Sequence, residues 1–520
     1  MFLSFSACRL VSLRAAIAAC ALALGGCSVL QGEAEVRASR QASQSEAPSQ
    51  ANSAPAAHAT GLSPPLASES ENRAESGTGA AGWNLRTLQS LPGPRAGEER
   101  LTFERAWRLL VEHDPEYHAA LSGRAAAQTE ISQGRAAILP QVQARYSRNK
   151  ITGLERNFTV LGTREAELNF DSTTAYIQLQ QPVFNLGRYA EFQRGQARAL
   201  LGEAEFSVEE YEAAARLTTA FVDTLLAQGR LELTEALAAS LEAQAEAQDA
   251  LFAGSEGNRV DAQETRARLA RAKAAVIAAE DELRVARRQL QGFIGQEPPP
   301  LAGIDNVDPS RLQVDEPLIQ WLERAQAHDA SIRAAAARVR VADTEVRRAL
   351  ARHLPTADLV MVYMDADSEN LSSLSQKSNT FQVGLQVAIP IFSGGYDSAN
   401  HARSRYERRR AEYELSQARE QVAAEVVRQY TAVQGGAERI AALISAVESG
   451  EQSLEAALQG YRYGINSNLD VLRRQDSVFE ARFELLQARA AWLEARTTLA
   501  TLAGEPVMAV FLSMDQVLGN

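Results

Sequence analysis

The sequence predicts an internally duplicated α+β membrane protein, with four transmembrane β-strands and very long coiled-coil helices in each chain. Three observations carry that expectation. Landmarks recur in the same order about 210 residues apart, some helical patterns far exceed what a globular core needs, and short stretches between them alternate apolar with polar residues.

At the N-terminus, Arg9 and Arg14 precede the apolar run Ala15–Leu24, too short to span a bilayer. With its basic flank it reads as a secretory signal over residues 1–26. Leu24-Gly25-Gly26-Cys27 resembles the bacterial lipobox, in which the cysteine after the cut carries lipid. A plain signal peptide followed by an incidental cysteine is the alternative. Cys8, Cys20 and Cys27 are the three cysteines, so a chain cut before Cys27 keeps one thiol and forms no internal disulfide. Ser28, rather than Asp, follows Cys27 and fits sorting of such a lipoprotein to the outer membrane. Residues 27–100 are rich in Ala, Ser, Glu, Gly and Pro and read as a flexible tether.

A first repeat follows over residues 101–300, then a linker over 301–316, a second repeat over 317–506 and a C-terminal tail over 507–520. His113-Asp114-Pro115 and Ile138-Leu139-Pro140 return as His328-Asp329-Ala330 and His353-Leu354-Pro355, an offset of 215. Pro182-Val183-Phe184 with Gly187 returns as Pro390-Ile391-Phe392 with Gly395, and Asp261 with Gly295 as Asp470 with Gly504. Each repeat then holds a helix, a strand pair (near 140–183 and near 356–390), a long helix (187–253 and 395–462) and a returning helix (260–294 and 469–503).

The long helical patterns run about 65 residues, roughly 100 Å at 1.5 Å per residue. Flanking helices near Arg105–Ala137 and Val260–Phe293 are each about half that length. The returning helices carry a heptad seam, Leu269, Ala272, Val276, Ala279, Leu283 and Ala286 in one and Val478, Ala481, Leu485, Ala488, Trp492 and Ala495 in the other. A soluble helical bundle would show the same seam. Gly229, Gly435 and Gly436 interrupt the long patterns as candidate kinks.

The strands argue for a membrane. Phe381, Val383, Leu385, Val387 and Ile389 alternate with Gln382, Gly384, Gln386 and Ala388. Ala175, Ile177 and Leu179 alternate with Tyr176, Gln178 and Gln180, and Val142, Ala144, Tyr146 and Leu359, Met361, Tyr363 supply partner runs. Such alternation suits strands with lipid on one side and water on the other, and four strands cannot close a barrel alone. Copies of the chain must therefore combine.

Charge and motifs exclude several functions. The net charge of −12 becomes −14 once Arg9 and Arg14 are removed, which argues against a nucleic-acid partner. There is no Gly-rich phosphate loop, G-x-S-x-G or H-E-x-x-H, and no Cys/His cluster, so no enzyme, cofactor or metal site is expected. Arg403–Arg410 reads as a solvated helix face.

Two helix-to-helix turns stand out. Gly254-Ser255-Glu256-Gly257-Asn258 precedes Asp261, and Tyr463-Gly464-Ile465-Asn466-Ser467-Asn468 precedes Asp470. Either aspartate could simply cap its helix.

The segments "GSEGNRVDAQETRARLARAKAAVIAAEDELRVARRQLQGFIG" and "YRYGINSNLDVLRRQDSVFEARFELLQARAAWLEARTTLATLAG", with "HDPEYHAA" and "AAILPQV", resemble the TolC family of outer-membrane channel proteins. The resemblance covers about Leu101 to Pro506. It implies a homotrimer closing into a twelve-stranded β-barrel that continues as an α-helical periplasmic tunnel. The implied partners are outer-membrane lipid, a periplasmic adaptor and an inner-membrane ABC or other pump. The turns, with Gly254, Gly257, Asp261, Gly464 and Asp470, would form the periplasmic mouth and its adaptor-docking tips. In the family an acidic pair three residues apart narrows that mouth. Asp470 matches the first position, but Arg473 stands at the second. The first tip resembles the type I protein secretion branch, while the lipobox is commoner in multidrug efflux relatives. A lipid-anchored periplasmic coiled-coil structural or adaptor protein is the alternative of another class.

Lipidation at Cys27 is directly measurable. Mass spectrometry of the mature N-terminus is expected to find Cys27 first and lipid-modified; an unmodified residue at another position would contradict it.

Overall fold

The fold comes from a computed structural model that describes residues 100–160, 162–255, 257–301, 312, 314–368 and 376–518. The signal segment, Cys27, the tether up to residue 99 and most of the 301–316 linker lie outside the described residues.

The elements, in order, are α1 (Phe103–His113), α2 (Pro115–Ala136), β1 (Gln141–Thr159), β2 (Gly162–Phe184), α3 (Leu186–Ala253) and α4 (Arg259–Ile294). The second half has α5 (Leu318–His328), α6 (Ala330–Ala351), β3 (Thr356–Ser368), β4 (Gln376–Ala388), α7 (Tyr396–Arg462), α8 (Asn468–Leu502) and α9 (Val507–Val517). The single helix expected over Arg105–Ala137 is two helices. Pro115 has no N–H to continue α1, and Asp114 adopts extended backbone and caps α2 by accepting from the Glu116 and Tyr117 amides. The second copy breaks at the same landmark without a proline. There Asp329 accepts from the Ile332 amide at 3.0 Å.

The four strands form one antiparallel sheet in the order β1-β2-β3-β4. Directly opposed residues share a face, so register decides what faces lipid. One row runs Val142, Leu179, Met361, Val383 and the next Ala144, Ile177, Tyr363, Phe381. Leu359 opposes Leu385, and Ala357 opposes Val387, on the same face. The other face reads Gln143, Gln178, Val362, Gln382 and Gln141, Gln180, Val360, Gly384. All four apolar stripes thus fall on one side. From Phe381 to Ile389 is roughly 27 Å of strand, or about 20 Å across the bilayer at a tilt near 40°, close to the ~25 Å apolar band of outer-membrane barrels. Phe381, Leu385 and Ile389 are exposed by 68%, 63% and 66%, as a lipid-facing stripe requires. Among the described residues the outer edges of β1 and β4 have no partner strand.

The helices continue this order. α2 contacts α3, α3 contacts α6, and α6 contacts α7, so the helical layer repeats the order of the strands. Farther from the sheet, α4 and α8 return along α3 and α7, and α8 also contacts α3. Seam residues Ala272, Ala279, Leu283, Ala286, Val478, Leu485, Ala488 and Trp492 are buried there. Gly229 and Gly436 mark close approach, and α3 and α7 continue as single helices past them. A Cβ on Gly229 would stand 2.6 Å from Leu486 Cδ2, and one on Gly436 would stand 3.1 Å from Trp492 Cδ1. Gly435 beside it meets nothing within 4 Å.

The expected C-terminal tail is also corrected. Its apolar spacing, Val507, Val510, Phe511 and Met514, makes α9 a buried helix in the main core. Phe511 stacks on Phe103 at 5.6 Å, and Phe103 meets Phe221 at 4.0 Å. Asp515 of α9 accepts from the Phe103 and Glu104 amides at 2.8 and 3.0 Å. The last described helix therefore caps the first described one.

The facing of β4 yields a paired test. Leu385→Arg, on the apolar face, is expected to cost roughly 2–4 kcal/mol near the bilayer midplane and to deplete assembled protein in outer-membrane fractions. Gln386→Arg, on the opposite face, is expected to assemble normally; equal tolerance of both would refute the facing.

Candidate functional site: the paired helix turns

At the ends of α3 and α7 farthest from the sheet, the chain reverses twice. At the first turn Gly254 donates to Ala250 O and Gly257 to Leu251 O, while Ser255 takes a positive φ of 60°. A Cβ on Gly257 would lie 2.8 Å from the Phe252 nitrogen, so the tight return requires glycine there. At the second turn Gly464 has a φ of 70°, and the Ile465 and Asn466 amides both donate to Gly460 O.

Neither aspartate is the capping residue. Asn258 caps α4 by accepting from the Val260 amide at 3.0 Å, which places Asp261 in the first turn. There its charge favours the helix dipole without closing the cap. Ser467 caps α8, and Asp470 completes a capping box. The Asp470 amide donates to Ser467 Oγ at 3.2 Å. The Ser467 amide and hydroxyl both donate to Asp470 Oδ2, at 3.1 and 2.6 Å. These bonds from Ser467, helped by Arg473 and Arg474, hold the exposed Asp470 carboxyl below the usual carboxylate range. Arg473 is exposed three residues on. Five large apolar side chains are also exposed at the two turns: Phe252, Val260, Tyr463, Ile465 and Leu469.

The structure brings the two turns together through a buried polar network. The Gln244 amide donates to Asn468 Oδ1 at 2.8 Å, and Asn468 Nδ2 donates to Thr265 Oγ1 at 3.0 Å. Gln248 donates to the Tyr461 hydroxyl at 2.6 Å, and Gln475 to Ser240 Oγ at 2.8 Å. Asn468 thereby links α3, α4 and α8, with Gln244 and Asn468 2% exposed or less. Arg268 of α4 adds an ion pair to Asp476 of α8. Sequence reasoning missed this network. Its signal was there: Asn468 and Gln475 fall seven residues apart, and Gln244 and Gln248 four apart, inside patterns otherwise filled by Ala and Leu.

Farther up, Arg403 pairs with Glu407 and Arg410 with Glu414, both at 2.8 Å, and Arg408 reaches Asp343 at 3.4 Å. The basic run is a largely solvated helix face, partly paired with acids on its own helix and with Asp343 of α6. Among the described residues no group of three or more His, Cys, Asp and Glu side chains is placed to hold a metal.

A family described as Outer membrane efflux protein matches residues 108–296 and 321–505, one match in each repeat. The chain is 32% identical over 408 residues to the Proteases secretion protein PrtF of Dickeya chrysanthemi, covering 77% of this chain and 87% of that one. It is 28% identical over 403 residues to the Alkaline protease secretion protein AprF of Pseudomonas aeruginosa, covering 76% and 83%. Among solved structures, the outer membrane protein VceC of Vibrio cholerae shares the fold at a TM-score of 0.66 and 19% identity, over 78% of this chain and 96% of that one. With its one-sided apolar sheet, duplicated long helices and paired turns, the chain belongs to the outer membrane efflux protein family and is a TolC-type outer-membrane channel reaching into the periplasm.

Proposed function

We propose that three copies close their strands into a twelve-stranded barrel and act as the exit duct of a type I protein secretion exporter. The supporting observation is the near full-length similarity to PrtF and AprF, both named for protease secretion. A periplasmic adaptor docks on the exposed apolar turn residues, and an inner-membrane ATP-driven pump feeds the duct. Cys27 anchors the tether to outer-membrane lipid. The efflux description of the family supports drug export as the second reading. Deleting the gene in its host separates the two. Loss of a protein from the culture medium with unchanged drug tolerance is expected, and the reverse pattern would establish efflux.

Asp470 and Arg473 form a gate of mixed sign at the mouth. Three copies around one axis bring three carboxylates together at one level and three guanidinium groups one turn away, about 4.5 Å along the helix. Like charges at one level repel, while opposite charges on adjacent levels attract by on the order of 1 kcal/mol at ~4 Å in water. The capping box keeps Asp470 in place and ionised. Because its folded pKa is lowered, its contribution to the turn is complete above the ordinary value near ~3.9 and is lost only as pH falls from there through the folded value. Neutral and mildly acidic media leave the gate charged.

Arg473→Asp is expected to shift the reversal potential in planar bilayers towards cation selectivity, and Asp470→Ala to raise resting conductance. If neither substitution changes conductance or selectivity, Asp470 serves only the capping box and the gate lies elsewhere.

A further inference from the structure

Closing the sheet puts β4 of one copy beside β1 of the next, and so α7 of one copy beside α2 of the next. The chain already contains that packing once. α3 lies against α6 within it, and the duplication makes α7 the counterpart of α3 and α2 the counterpart of α6. The contact between copies can be read from the contact inside one.

Buried faces fix the alignment. Pro115 and Ala136, the ends of α2, lie 215 residues before Ala330 and Ala351, the ends of α6. Ala253 and Arg462, the last residues of α3 and α7, lie 209 apart. At those offsets the faces turned to the preceding short helix agree. Gly195, closest to Glu130 of α2, matches Ser404, and both are buried. Phe206 meets Tyr117 at 5.8 Å, and their counterparts Leu415 and Ile332 share the main core cluster.

Inside the chain the α3–α6 seam is small and aliphatic. Ala204 packs with Ala334 and Ala337, and Ala197 is buried one heptad before it. Beside them Arg194 reaches Glu345 at 3.1 Å, and Glu345 also holds Arg348. Carried to the copy boundary, Ala197 and Ala204 become Tyr406 and Tyr413, while Ala334 and Ala337 become Ala119 and Ser122. Arg194 and Glu345 become Arg403 and Glu130, so that ion pair is conserved in kind. Arg410 and Gln417 replace the partly buried Leu201 and Val208, which makes this seam aromatic and polar. In one chain both tyrosines stand 70% exposed. The facing stretch of α2 is also exposed, and a Cβ on Gly123 would meet nothing within 4 Å. Two large rings on one stripe, opposite a trough of small residues, gain by being covered.

We propose that Tyr406 and Tyr413 of one copy seat against Ala119, Ser122 and Gly123 of the next, with Arg403 bonded to Glu130 across the seam. This rests on the three-copy reading above. Glu130 already holds Arg198 of its own chain at 3.4 Å, so Arg403 completes a clasp of two arginines, as Arg194 and Arg348 do at Glu345. The substitution of tyrosine for alanine has a physical reason. The seam inside the chain forms as the chain folds, whereas this face stays wet until a second copy arrives. Tyrosine brings a large ring for the contact and a hydroxyl that keeps its water.

Cysteine pairs test the seam in outer-membrane vesicles, with Cys27 unchanged in every variant. Ser122→Cys combined with Tyr413→Cys is expected to give covalent dimers and trimers on a boiled, non-reducing gel. Ser122→Cys combined with Glu412→Cys is not, since Glu203, the counterpart of Glu412, turns to Arg124 in α2 of its own chain. Ser122→Phe is expected to abolish the trimer band of an unheated gel, and adding Tyr413→Ala to restore it. Trimers whose chains cross-link equally through both cysteine pairs, or through neither, would overturn the seam, as would a double variant no better than Ser122→Phe alone. Absence of a trimer band from the unchanged protein would instead overturn the three-copy reading, and the seam with it.

Discussion

A sheet in hydrocarbon cannot leave a backbone edge unpaired. Each free N–H or C=O there costs several kcal/mol, with no water to satisfy it. The four-stranded sheet ends at β1 on one side and β4 on the other, both open among the described residues. Everything else follows from closing those edges. Copies must associate so that β4 of one meets β1 of the next. The helices that grow from the strands are arranged in the same order, so whatever closes the sheet closes the helical layer too.

Closing a layer of helices near 100 Å long needs close contact all the way along, and side chains set the spacing. Alanine alternates with larger apolar residues along the seams of α4 and α8, and Gly229 and Gly436 let Leu486 and Trp492 come against a neighbouring backbone. Large apolar residues are concentrated where α1, α5 and α9 gather around the middle of the long helices, with Phe103, Phe221 and Phe511 at the centre. Asp515 locks that cluster by capping the first helix from the last. The middle of the molecule is held by this large apolar cluster, and the far end by small apolar clusters around Val471 and Leu472 together with the polar groups around Asn468. Buried polar groups hold one arrangement only while every partner is present, and losing one leaves the others unpaired at about 1–3 kcal/mol each.

Much of this was legible in the residues. The duplication follows from landmarks that recur about 210 residues apart, and the helices and the facing of the strands from periods of seven and two, which survive tertiary context because each sets a whole face at once. Breaks and caps were harder. Asp114–Pro115 divides one helical pattern into two, and the apolar pattern barely changes across it. The turn aspartates drew attention through their charge, yet Asn258 and Ser467 do the capping, because a cap depends on which residue leaves helical φ and ψ first. The network around Asn468 joins residues more than 200 positions apart, which no local window connects. The C-terminal helix was read as tail because only 14 residues follow Pro506, too few to judge without the core they enter.

The number of copies in the particle is the most direct measure of whether edge closure governs this molecule. Native mass spectrometry of protein extracted from outer membranes should return the mass of three mature chains and none of one. A single chain that stays inserted and conducts ions would contradict the requirement on which the architecture rests.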